Sequence, residues 1–182
     1  MGWLLVKVGR GNGGGRFPVF LKNYFVNAVK QSQERNEFLI IGYGNTLRTD
    51  DGVGPRVAEA VEALHLPGVR TLACQMLTPE LAAPISRARV AIFVDAAVDL
   101  PKNVQLRKLE PNQTSQLMAH AADPRTMLAL ARDAFGHAPE AWWLTIPAAS
   151  LEFSETLSAQ AEQGCDEAIR QIWKLCSPSR ED

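Results

Sequence analysis

The sequence predicts an α/β fold, a three-layer α/β/α sandwich around a largely parallel central sheet. Three observations carry that expectation. Short apolar runs (Phe38-Leu39-Ile40-Ile41, Val90-Ala91-Ile92-Phe93-Val94 and Trp142–Ile146) alternate with segments of helical spacing, and strands that alternate with helices build parallel sheets between helix layers. The run at 90–94 contains no polar residue, as a central strand covered on both faces requires. The chain has 182 residues with 46% hydrophobic content, enough for one domain with a sizeable core.

The regular alternation begins at residue 38. A strand over 38–42 leads to a helix over 53–64, in which Val53, Val57, Ala60, Val61 and Leu64 fall on one face. A short strand follows around Val69–Ala73. Pro79 opens a helical piece through Ile85, because proline is tolerated in a first helical turn. After the 90–94 strand, Val104–Leu109 alternates apolar and polar residues and reads as a half-buried strand. Pro124 opens a helix carrying Met127, Leu128, Leu130, Ala131 and Phe135, and Gly136 ends it. Trp142–Ile146 is the next strand, and Ser158 to Leu175 is the last helix. The domain is therefore placed at 38–176, with a polar tail at 177–182.

Residues 1–37 form a basic extension. Up to position 35 they carry Lys7, Arg10, Arg16, Lys22, Lys30 and Arg35 against the single acid Glu34. The glycines of Gly9-Arg10-Gly11-Asn12-Gly13-Gly14 have dinucleotide-loop spacing, but Gly15, Arg16, Phe17 and Pro18 follow where a helix should open. The stretch reads as flexible. Its apolar runs are too short and broken for a signal peptide. Phe20, Leu21, Tyr24, Phe25 and Ala28 have amphipathic helical spacing. Docking on the domain, contact with a partner, disorder, and an origin upstream of the true start codon all stay open for this extension.

Composition excludes several classes. A net charge of -1 gives no bulk attraction to nucleic acid or to an anionic membrane. No apolar run approaches the length of about 20 residues that spans a bilayer. Cys74, Cys165 and Cys176 form no even set and no zinc spacing; they suit a reducing cytoplasm and read as small buried or incidental thiols. No Gly-x-Ser-x-Gly, His-Glu-x-x-His or catalytic cysteine setting is present.

Chemistry concentrates at the carboxyl ends of the strands. Residues 42–54 read Gly-Tyr-Gly-Asn-Thr-Leu-Arg-Thr-Asp-Asp-Gly-Val-Gly, a tight turn between the first strand and the first helix. Asp50 and Asp51 thus lie on the edge where open α/β sheets bind their ligands. Either acid could also serve only as a helix cap. Leu47 occupies the third glycine position of a dinucleotide loop, and two acids repel a pyrophosphate, so the loop suits a cation or a proton. Asp95 ends the most apolar strand on the same edge, in front of the small Ala96 and Ala97, with the capping of a turn as the alternative role. His120 stands in a loop of small and apolar residues before Pro124. His65 and His137 follow helix ends, where an imidazole favours the dipole. Two carboxylates and one imidazole suit a borderline divalent metal such as nickel or zinc, and three protein ligands leave a coordination position open.

The stretch Gly42 to Pro55 closely resembles the opening motif of the [NiFe]-hydrogenase maturation endopeptidases. Phe93-Val94-Asp95-Ala96 resembles their second acidic motif, and His120 with Pro124 and Leu128-Ala129-Leu130 resembles their histidine segment. Gln75-Met76-Leu77-Thr78-Pro79-Glu80-Leu81-Ala82 is similar to the branch that serves bidirectional, NAD-linked hydrogenases, and Leu144-Thr145-Ile146-Pro147 through Leu157-Ser158 also fits. The likeness runs from residue 38 to about 175. Three departures stand out: Ala73-Cys74-Gln75 where many relatives have Asp-Gly-Gly, Asp51 where a longer Glu is frequent, and the extension over 1–37.

The resemblance implies a cytoplasmic, monomeric endopeptidase that removes the C-terminal peptide of a hydrogenase large-subunit precursor after nickel insertion. Asp51, Asp95 and His120 would be both its catalytic residues and its metal ligands, with the nickel supplied by the precursor. No nucleic acid or membrane is an expected partner. Two rival readings remain: a non-proteolytic chaperone that checks nickel through the same three ligands, and a nucleotide-binding domain built on the Gly-x-Gly turn. The second lacks a ribose-binding acid about 20 residues beyond the glycines, since Glu62 falls within the helix.

Overall fold

The computed structural model describes residues 37–98, 103–113 and 123–177. The chain enters the middle of the sheet with β1 (Phe38–Tyr43), turns through a 3-10 helix (Thr49–Gly52) and runs back along α1 (Val53–Ala63). It continues through β2 (Val69–Cys74), a 3-10 turn (Pro79–Leu81) that passes into the short α2 (Ala82–Ile85), β3 (Val90–Ala97), β4 (Gln105–Leu109), α3 (Pro124–Phe135), β5 (Glu140–Pro147) and α4 (Ala159–Cys176). Every element expected over these residues is present within a few positions of its expected ends. The strand order is β2-β1-β3-β5-β4. β1 pairs in parallel with β2 and β3, and β3 with β5. Only β4 runs antiparallel, on the edge beside β5.

Alternation along the strands divides the core into two layers. Ile40, Ile92, Val94, Leu144 and Ile146 face α1 and α4, meeting Val53, Val57, Val61, Ala161, Cys165 and Ile172. Leu39, Ile41, Tyr43, Ala91 and Phe93 face the opposite way, toward Ile85 of α2 and Met127, Leu128 and Ala131 of α3. β1, β3 and β5 are each covered on both faces, which is why their sequences lack strict alternation of polarity. The helix ends follow local chemistry. Asp123 accepts from the Arg125 N–H at 2.8 Å to cap α3, and Gly136 closes that helix in the left-handed conformation, at φ 76°.

The strand order fixes where a ligand can bind. β2 lies on one side of β1 and β3 on the other, so the chain reverses its direction of travel across the sheet between β1 and β3. Connections leaving two such strands diverge to opposite faces and open a crevice at their carboxyl ends. No helix among the described residues is long and apolar enough to cross a membrane.

Phe93 is fully buried at the centre of this sheet. Its replacement by Ala should cost about 3–5 kcal/mol, seen as a lower thermal midpoint. An unchanged midpoint would contradict its central position.

Candidate functional site

The crevice between β1 and β3 is where Asp51 and Asp95 meet. Asp51 stands in the 3-10 turn that follows β1, and Asp95 near the end of β3. Glycines make their approach possible. Gly42 of β1 and Gly54 of α1 are in such close contact that a Cβ on Gly42 would strike the Gly54 carbonyl. A Cβ on Gly54 would strike backbone atoms of Tyr43 and the Val94 carbonyl of β3. The first turn of α1 therefore sits directly on the ends of both strands. Gly44 adopts φ +139°, and a side chain there would run into the Asp51 carbonyl. One oxygen of Asp51 is fixed at 3.0 Å by the backbone N–H of Asn45.

Asp50 has a different task. Neither it nor Asp51 caps the turn or α1, since neither element has a side-chain cap. The capping alternative is thereby corrected. Asp50 is fully buried and reaches across to the segment between β5 and α4. It accepts hydrogen bonds from the N–H groups of Ala149 (2.7 Å), Ser150 (3.1 Å) and Ser158 (2.7 Å) and from the Ser158 hydroxyl (2.8 Å). Ser158 in turn caps α4 by accepting from the Ala161 N–H. Burial pushes Asp50 toward the neutral acid, but these four bonds outweigh it and hold its pKa below the usual value of 3.8. Neighbouring contacts stitch the same two loops together. The Thr49 N–H donates to the Ser154 carbonyl and its hydroxyl to the Glu152 carbonyl, both at 2.7 Å. They hold Thr49 in the left-handed region, φ +44°, which a β-branched residue rarely visits.

Asp95 is only partly exposed. Burial raises its pKa from 3.8 to about 6, and the charge of Asp51 adds to the rise; the Tyr43 phenol and the Ala96 N–H oppose it. The two carboxylates thus sense each other. Tyr43 and Thr145 flank Asp95 on the same face of the sheet, Thr145 being its register partner on β5. The Thr145 hydroxyl and the Trp143 indole N–H, two residues apart on β5, are buried without a hydrogen-bond partner.

The third residue expected at the site, His120, lies outside the described residues, as does the rest of 114–122. Among the described residues no group of three or more His, Cys, Asp or Glu side chains is placed to hold a metal ion. His65 follows α1, and the His137 ring meets the Ala88 carbonyl just before β3. Both belong to the amino edge of the sheet, away from the acids. Burial pushes the thiols of Cys165 and Cys176 up to about 11 and also raises that of Cys74, which suits packing and not nucleophilic attack. Tyr43, Trp143 and Thr145 lie in stretches the sequence marks as motif or strand, but it assigns none of them a role at the site. The period of two that places Ile41 and Phe93 inward also places Tyr43 and Asp95 together, so the signal was available.

The five-stranded α/β/α sandwich is the fold of solved hydrogenase maturation peptidases. The hydrogenase maturating endopeptidase HybD from E. coli has the same fold, with a TM-score of 0.60 and 21% identity over 76% of this chain and 91% of that one. The [NiFe] hydrogenase maturation protease HybD from Thermococcus kodakarensis gives a TM-score of 0.59 and 23% identity, over 78% of this chain and 99% of that one. A hydrogenase 2 maturation peptidase from a Thaumarchaeota archaeon gives 0.57 and 22%, over 76% and 97%. No family model matches the chain, and no curated protein matches its sequence.

Two stability measurements test this geometry. Asp50→Asn keeps the shape but sets an amide among N–H donors, and should cost about 2–4 kcal/mol in chemical denaturation. Because its folded pKa is depressed, the contribution of Asp50 is complete above its unfolded value of 3.8 and is lost as pH falls through the folded pKa. The variant should accordingly lose less stability than the wild type on acidification. Asp95 has the opposite sign. With a folded pKa near 6, it favours the folded state below its unfolded pKa of 3.8, and that advantage disappears as pH rises through 6. Asp95→Asn should raise the melting midpoint at pH 8 and leave it nearly unchanged at pH 4; a gain that ignores pH would contradict the burial of this carboxylate.

Proposed function

We propose that the protein is an endopeptidase of hydrogenase maturation, removing the C-terminal peptide of a [NiFe]-hydrogenase large-subunit precursor once nickel has been inserted. The observation that carries this reading is the convergence of Asp51 and Asp95 at the crevice between β1 and β3, in a fold shared with solved maturation peptidases. The order of motifs around Gly42–Pro55, Asp95 and His120 supports it further.

In this reading the nickel belongs to the substrate. Asp51 and Asp95, with His120, supply two carboxylates and an imidazole, a donor set suited to a borderline divalent ion. None of the three cysteines adds a soft ligand to it. Three ligands hold a metal loosely on their own and firmly only when the precursor completes the shell. Nickel in the precursor then acts as the recognition element, and its Lewis acidity is available for hydrolysis of the neighbouring peptide bond. The enzyme works as a monomer in the cytoplasm, alongside the assembling hydrogenase.

The test is incubation with nickel-loaded and nickel-free precursor, read by product mass. The expected result is cleavage of the loaded form alone, unaffected by prior treatment of the protease with a chelator. Asp51→Ala, Asp95→Ala and His120→Ala should each abolish processing while the protein stays folded, because none of the three is a large apolar core residue. Cleavage of both precursor forms at equal rates would refute recognition through nickel. Tight nickel binding without any cleavage would establish the checking chaperone instead.

A further inference from the structure

We propose that Tyr43 is a positioning residue for Asp95, its phenol holding the carboxylate in one orientation, with the Trp143 indole N–H beside the phenol. The inference rests on the reading of Asp95 as an acid of the processing site, and it adds a residue that the motif resemblance does not assign.

The geometry begins with the pairing of β1 and β3. Gly42 is the register partner of Val94, so the next residues, Tyr43 and Asp95, stand side by side at the strand ends. Both follow by two positions a residue of the α2–α3 layer, Ile41 and Phe93 respectively, and hence share that face. Tyr43 is only 9% exposed. A phenol so enclosed needs a polar partner, and the Asp95 carboxylate is the acceptor beside it. Burial, with the charge of Asp95 next, raises the phenol well above its ordinary pKa, so it remains a donor throughout the working range.

Trp143 extends the arrangement. It is the register partner of Phe93 on β5, one row below Asp95, and the Arg107 guanidinium lies 5.4 Å from its ring centroid. Its indole N–H is buried and makes no hydrogen bond, yet it faces the Tyr43 oxygen closely enough to favour a negative charge there. An indole N–H can only donate. A buried donor without a bond carries a cost, which a hydrogen bond to the Tyr43 oxygen would remove. Carboxylates that engage a metal through one oxygen are commonly fixed through the other by such partners. The Tyr43 hydroxyl is placed to do that for Asp95, together with the Ala96 N–H.

Tyr43→Phe removes only the hydroxyl. The first measurement is the side-chain carboxyl carbon resonance of Asp95 by NMR in the free protein at pH 8, where Asp95 is ionised in both forms. The second is kcat and KM on nickel-loaded precursor. A displaced Asp95 signal, a thermal midpoint near that of the wild type, and kcat reduced about 10–100-fold at similar KM would support the proposal. An Asp95 signal that does not move would overturn it, and so would a displaced signal with wild-type kcat. Wild-type protein that leaves loaded precursor uncut would instead overturn the processing reading, and the Asp95 signal would then decide the orienting role by itself.

Discussion

The buried carboxylate of Asp50 is the interaction on which the rest of the site depends. A fully buried charge is unfavourable unless its oxygens are satisfied, and here four donors from one distant segment satisfy them. None of the ion pairs among the described residues involves it. The attraction therefore runs between a charge and neutral donors, three of them backbone N–H groups of fixed direction, and this gives the contact its geometric precision. It joins the turn after β1 to the segment after β5 and sets the capping serine of α4. With Thr49 pinned beside it, the turn has little freedom, and Asp51 inherits its place from a neighbour that never reaches the crevice.

The second constraint is steric. Gly42 and Gly54 let α1 start in direct contact with the ends of β1 and β3. Any side chain at these positions would push the helix outward and carry the Asp51 turn away from Asp95. A strand order that reverses between β1 and β3 opens the crevice, the glycines bring one acid to it, and β3 delivers the other. Partial burial then gives the two carboxylates different environments. Asp95 is displaced toward neutrality, whereas Asp51 accepts a backbone hydrogen bond.

Much of the fold was legible because its signals are local. The apolar run at 90–94, the proline and glycine that bracket α3, and the glycine spacing at 42–54 each report one element without reference to any other. The positions of Asp51 and Asp95 followed from their places at strand ends. What could not be read was pairing. β4 has the alternation of a half-buried strand, but nothing in it specifies an antiparallel edge position beside β5. The role of Asp50 depends on N–H donors about 100 residues further along the chain, so two adjacent aspartates looked equivalent although one is a structural staple and the other faces the crevice. The row of Tyr43, Asp95 and Thr145 likewise needs the register of three strands.

If Asp51 and Asp95 share one site, Asp51 must influence the titration of Asp95. Its side-chain carboxyl resonance can be followed by NMR in the wild type and in Asp51→Asn. The expected midpoint is about 6 in the wild type, moving downward when the neighbouring negative charge is removed. A wild-type midpoint at the ordinary carboxylate value, with no response to Asp51→Asn, would contradict the convergence of the two acids.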